Sequence, residues 1–339
     1  MESLPVKPLP PNNNLGTGVL AEYLILLIVS LFLVILRSYV RLRVTKNWGW
    51  DDTAIIIAWL FFLADMVLMG FILHEGVGRH EVYLENPKQQ ILQIVKYNVF
   101  FQILVVICTL LTKFSICILI LRIKNTKSLR WILWTMMGFM TSVTIAMVAV
   151  ELASCIPLRK LWNPEIHGRC IHPNSVYNVA YIQSAFNVVT DLCLTISPIL
   201  ILWNVKISRK KKVLICLLMS LGLAATLSTI LRNVFTPELL ASSDFTHAIV
   251  PVTIVVILEM GSGIIAACVP ACMPIMPILQ PRINSMLSRY GYPLRSRSHT
   301  GRVGLGSGTS RGDAASTASS GGQIYTVHAL EMNPKFSAV

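Results

Sequence analysis

Seven stretches of this chain are too long and too evenly apolar for the core of an ordinary water-soluble domain. They run from about Val19 to Leu36, Thr53 to Leu73, Val99 to Leu121, Trp131 to Ala153, Val179 to Trp203, Val213 to Phe235 and Ile249 to Leu279. A bilayer core ~30 Å thick takes about 20 apolar residues of helix, because only a helix or a closed barrel satisfies its own backbone in lipid. Barrel strands would alternate over ~10 residues, whereas Leu24 to Leu36 is apolar on every side. Of the 339 residues 54% are hydrophobic and only 13% charged, about half the charge of a typical soluble protein. A mean hydropathy of +0.64 also excludes disordered, collagen-like and small disulfide-scaffold classes. The expected fold is an all-α polytopic membrane protein, a seven-transmembrane helix bundle over residues 19–280.

Residues 1–18 are rich in Pro and Asn with a single Lys7. The weak charged region, the long apolar run and the lack of a small-residue cleavage site predict an uncleaved signal anchor rather than a signal peptide. Beyond the last span, Ile283, Met286, Leu287 and Tyr290 fall at i, i+3, i+4 and i+7 beside Arg282 and Arg289. That pattern predicts an amphipathic juxtamembrane segment, residues 281–294, lying on anionic lipid. Residues 295–339 turn to Ser, Gly, Thr and Arg and are expected to form a disordered tail.

Lys and Arg exceed Asp and Glu by 29 to 16, and their placement sets orientation. Twenty basic residues follow the first, third, fifth and seventh spans, against seven on the opposite face. The N-terminus is therefore expected outside and the C-terminus in the cytosol. The net +13 then records topology and lipid contact, not nucleic-acid binding.

Ionisable residues inside spans cost ~2.5–3.5 kcal/mol each near the helix centre, so they are candidates for function. They are Asp65, Lys113, Asp191, Arg232 and Glu259, with Glu22 and Glu151 nearer the outer interface. By depth, Lys113 would pair with Asp191 and Arg232 with Glu259, either as packing devices or as working parts. Asp65 is left over, and an unpaired buried acid would be protonated or would meet an ion, water or ligand cation. Asp65, Glu259 and Arg232 are accordingly the candidate ligand-binding set.

Cys155 and Cys170 share an outer loop, while the other six cysteines lie within spans. In an oxidising lumen they would form a disulfide. The alternatives are two reduced thiols, or metal ligation through His167, Cys170 and His172, with outer His74, His80 and His247 nearby. Those histidines could equally report external pH. No phosphate-binding Gly-rich loop, His-Glu-x-x-His or nucleophile elbow occurs, and no catalytic or metal residues are assigned.

Arg37-x-Tyr39-x-Arg41, Trp50-Asp51-Asp52, Gly76-Val77-Gly78-Arg79-His80 and Lys113-x-Ser115 form an ordered set. It continues with Cys155-x-Pro157, Trp162, Cys170, Asn187-x-x-x-Asp191, Arg232 and Glu259-x-x-x-Gly263 through Pro270. The set resembles the fungal rhodopsin-like integral membrane proteins, the family of the satratoxin-cluster membrane protein and the fungal pathogenicity receptor-like proteins. The resemblance covers roughly Leu20 to Gln280 and implies a seven-helix, receptor-like fungal protein, often encoded beside secondary-metabolite pathways. Residues 1–18 carry no cysteine, so the Cys-rich N-terminal domain of some receptor-like members is not expected here. Its seventh span carries no lysine, so no retinal cofactor is expected. The expectation is a non-enzymatic sensor of an unknown small molecule in the plasma membrane or another secretory-pathway membrane, touching membrane lipid and a cytosolic signalling partner. The alternative is a membrane component of a secondary-metabolite cluster that transports or modifies an apolar metabolite.

Overall fold

The computed structural model describes residues 14–123, 126–163, 165–171, 173–202, 220, 222–236 and 244–272. Helix α1 (Gly16–Tyr39) runs on through a π-helical turn, Val40–Val44, and is followed by α2 (Trp50–His74), α3 (Pro87–Ile123) and α4 (Lys127–Leu152). Next come a two-stranded antiparallel ribbon, β1 (Cys155–Ile156) with β2 (Arg169–Cys170), and α5 (Pro173–Leu202). Residues 222–236 form α6, and α7 is Phe245–Cys272. The molecule is mostly helical, and five of the described helices, α1 with its π turn, α2, α3, α4 and α7, are long and apolar enough to cross a membrane.

The helices overrun the apolar windows that signalled them. Helix α3 begins at Pro87, a dozen residues before Val99, because Lys88, Gln89 and Gln90 are good helix formers although they are polar. Helix α2 starts at Trp50, with Asp51 and Asp52 in its first turn, where carboxylates suit the helix dipole. The juxtamembrane segment, the tail and the Lys206–Lys212 loop lie outside the described residues.

The main core joins α1, α2, α3 and α7. Val19, Tyr23, Phe62, Met69, Ile94, Ile257 and Ile264 are buried in it, and Tyr23 stacks on Phe62 with ring centroids 4.9 Å apart. A smaller cluster, including Cys117, Met137, Met140 and Leu194, joins α3 to α4 and α5. The outward surface is also apolar: Ile25, Ile28, Phe32 and Ile35 on α1, and Ile132 and Ile145 on α4, are exposed. A helix apolar on its outside as well as its inside is solvated by lipid, not water.

Charged sites between the helices

The densest polar site lies where α1 ends and α2 begins. Arg37, 1% exposed, makes three charge-assisted hydrogen bonds: Nε to Asp52 Oδ1 (2.8 Å), Nη2 to Asp51 Oδ2 (2.7 Å) and Nη1 to the Ala267 carbonyl of α7 (2.6 Å). Arg41 approaches the same two carboxylates at 3.5 and 3.4 Å. From α3, Arg122 reaches Asp51 Oδ1 at 3.1 Å and donates to the Asn47 carbonyl. Ser115 Oγ donates to the Asp51 carbonyl (2.8 Å), and the Gly49 N–H donates back to Asp52 Oδ2 (3.1 Å). Four helix ends are thus tied by three arginines and two aspartates. By position in the sequence these residues lie in the polar stretches that flank the spans. Arginines ending one helix and aspartates starting the next are what helix dipoles favour in any case, so the pattern concealed their meeting.

A second polar layer lies deeper. Lys113 Nζ is 3.0 Å from Asp191 Oδ1, 2.9 Å from Thr190 Oγ1 and 3.3 Å from Asn187 Oδ1, which engages all three of its N–H groups. Arg232 Nη1 is 3.6 Å from Glu259 Oε2, a Coulombic contact too long for a hydrogen bond, while Nη2 meets Ser184 Oγ at 3.3 Å. Asp191 also lies within electrostatic reach of Arg232 and Glu259. Two bases and two acids therefore form one array across α3, α5, α6 and α7 with no net charge.

Asp65 stands apart from that array. It is fully buried on α2, neither carboxylate oxygen has a hydrogen-bond partner among the described residues, and it interacts with Tyr23 and Cys108. The structure thus joins Arg232 to Glu259 and leaves Asp65 between α1, α2 and α3.

At the opposite end of α7, His80 Nδ1 is 2.6 Å from Asp244 Oδ2, and the Glu81 N–H donates to Asp244 Oδ1 at 3.0 Å. The His80 ring stacks on His247, with centroids 4.2 Å apart and planes 9° from parallel. Burial alone would raise the Asp244 carboxyl, but His80 and the Glu81 N–H outweigh it and hold it below the ordinary carboxylate range. The Gly78 N–H donates to the Thr246 carbonyl (3.0 Å), and Thr246 Oγ1 to the Arg79 carbonyl (2.7 Å). Gly78, at φ +94° and pressed on the backbone of Gly16, has no space for a side chain. Partners 164 residues apart in sequence left no signal to find this clasp.

Cys155 and Cys170 are bonded, at an S–S distance of 2.05 Å, and face each other in the strand pair. That removes Cys170 from any metal set, and no three His, Cys, Asp or Glu side chains among the described residues converge to hold a metal.

The fungal rhodopsin domain matches residues 36–277. The chain belongs to the fungal rhodopsin domain family. It is 24% identical to a polyenoic acids biosynthesis gene cluster protein of Metarhizium anisopliae, over 78% of this chain and 75% of that protein. It is 26% identical to a SAT4 family membrane protein of Emericella nidulans, over 73% of this chain and 59% of the relative. A fugralins biosynthesis cluster protein of Gibberella zeae is 28% identical over 44% of this chain and 37% of its own length. No solved structure matches. Family membership and the apolar helices together make this fungal rhodopsin-like chain a multi-pass membrane protein.

Proposed function

We propose that this fungal rhodopsin-like protein is a non-enzymatic, receptor-like bundle of seven spans, N-terminus outside and C-terminus cytosolic, that responds to a small molecule without retinal. The observation that carries the reading is the neutral four-charge array of Lys113, Asp191, Arg232 and Glu259. Ion pairs joining several helices can exchange partners, which gives two discrete arrangements for a ligand to choose between. Helices α5 and α6 supply the fifth and sixth spans in this reading, and α7, the seventh, carries no lysine for a Schiff base. Arg232 and Glu259 are assigned to ligand response, with Asp65 as a separate buried acid that holds a proton or meets a cation. The cytosolic loops face anionic lipid and a signalling partner.

A second reading is favoured by two relatives named as biosynthesis-cluster proteins: a membrane component of a secondary-metabolite pathway, moving or modifying an apolar product. A deletion strain complemented with wild type, Glu259→Gln or Asp65→Asn separates the two. The receptor-like reading expects both variants to reproduce the loss of response seen in the deletion, with pathway intermediates unchanged. Accumulation of an intermediate in the deletion strain would carry the second reading, and full rescue by both variants would sink the residue assignment.

A further inference from the structure

Between α3, α4 and α5 lies a cleft that the ion pairs border but do not fill. Val106 and Leu110 of α3 and Met140 and Val143 of α4 make its apolar walls, and it encloses about 20 Å³, room for one water-sized group. Phe139 and Phe186 meet edge to face across it, centroids 5.1 Å apart, and both are more than a third exposed on the outside of the bundle. The surface around this opening is apolar, with Ile132 and Ile145 on α4 and Ile182 and Val189 on α5 all exposed. The opening therefore faces hydrocarbon.

Two amides line the cleft from α5. Gln183 is 8% exposed, and its side chain has no hydrogen-bond partner among the described residues. One helical turn on, Asn187 gives its oxygen to Lys113, and its NH₂ group has no acceptor among the described residues. Both sit at least ten residues inside α5, and Phe139 and Met140 sit at the middle of α4. Amide groups left without partners at that depth are costly. Charge narrows what could complete them. Lys113 is already matched by Asp191 and has no free N–H, so an anionic head would gain no cation and would bring an uncompensated charge into the bundle.

We propose that this cleft is a binding site for an uncharged, lipid-soluble small molecule. One hydroxyl or carbonyl seats on Gln183 and Asn187, and the carbon skeleton passes beside the Phe139–Phe186 pair and lies along the outer face of α4 and α5. The inference goes beyond the receptor-like reading and is tested by direct binding, so either can fail without the other.

The test uses the full chain in nanodiscs with two photoreactive probes, a diazirine-bearing C16 fatty alcohol and the matching fatty acid, with labelled positions mapped by peptide mass spectrometry. The site predicts alcohol labelling concentrated in residues 139–144 and 183–190, exceeding acid labelling there. Gln183→Leu should lower it about five- to tenfold, the weight of one buried hydrogen bond. Labelling spread evenly over all lipid-facing helices, or equal labelling by the acid, would overturn the proposal. So would undiminished labelling in a folded Gln183→Leu protein, which would mean that the cleft holds a water only. If Gln183→Leu does not survive purification, Val143→Trp, which fills the cleft and leaves both amides in place, must give the same loss for the site to stand.

Discussion

Arg37 shows how much one side chain can carry in a bundle of this kind. Its guanidinium bonds two helices besides its own, to Asp51 and Asp52 of α2 and the Ala267 carbonyl of α7. Only a planar fork can serve three acceptors set apart in this way, which a point-charge ammonium cannot. Arg37→Met should therefore lower unfolding stability by about 3–5 kcal/mol, the cost of removing one member of a buried ion network. Arg37→Lys should recover only part of that, and Arg43→Ala, at an exposed position two residues past Arg41, should leave stability unchanged. Thermal melts of the three detergent-solubilised variants, followed by size-exclusion fluorescence, would check this; equal melts for Arg37→Met and Arg43→Ala would refute it. Which ionisable residues stand inside the apolar runs could be read from the sequence, because their cost there is large. That Arg37, Arg41, Asp51, Asp52 and Arg122 form one buried cluster could not, since it depends on how four helix ends meet in space.

At the scale of elements, the ribbon between α4 and α5 has few backbone hydrogen bonds of its own among the described residues. Strands β1 and β2 pair over two residues each, Ile171 N–H donates to the Ser154 carbonyl at 2.8 Å, and β2 is exposed. A ribbon this short is marginal by itself, so the Cys155–Cys170 bond sets its register. Chain-entropy arguments give ~3 kcal/mol for closing a loop of about this size. Cys155→Ser with Cys170→Ser should lose about that much stability and make the loop a target for limited proteolysis, with the α1–α2–α3–α7 core intact. A doubly substituted protein as resistant as wild type would show that the ribbon stands without its bond. Hydropathy located the five long apolar helices among the described residues but not their ends, because apolar windows report the stretch solvated by lipid while helix propensity continues into polar turns, as at the start of α3. Helix α5 is the instructive case. Gln183, Asn187 and Asp191 recur at i, i+4 and i+8, a polar stripe that lowers its hydropathy and at the same time supplies both the Lys113 partners and the cleft amides.

For the whole molecule, the proposed orientation rests on charge asymmetry, the excess of Lys and Arg on one set of loops. Trp50 and Trp131, 81% and 76% exposed, stand at the first turns of α2 and α4, beside Arg43, Lys46 and Lys127. Exposed indoles suit a membrane–water interface on either side, so it is the lysines and arginines beside them that support the proposed cytosolic placement. The disulfide loop lies at the other end of α4, which the proposed orientation puts on the oxidising side. The sequence offers an unusually clean test, because it contains no Asn-x-Ser/Thr acceptor of its own. Glu165→Asn with His167→Thr builds one in the exposed part of the disulfide loop, and Gly308→Asn builds one in the tail beside Thr309 and Ser310. Only luminal acceptors receive glycan. Expressed in a eukaryotic host, the loop variant should show a glycosidase-sensitive band and the tail variant none. Glycan on the tail would invert the orientation. An odd number of spans follows only if the tail stays unmodified and residues 1–18, given an acceptor by Leu15→Ser after Asn13, are modified. A modified loop with an unmodified N-terminal segment would remove the outside placement of the N-terminus, and with it the seven-span arrangement.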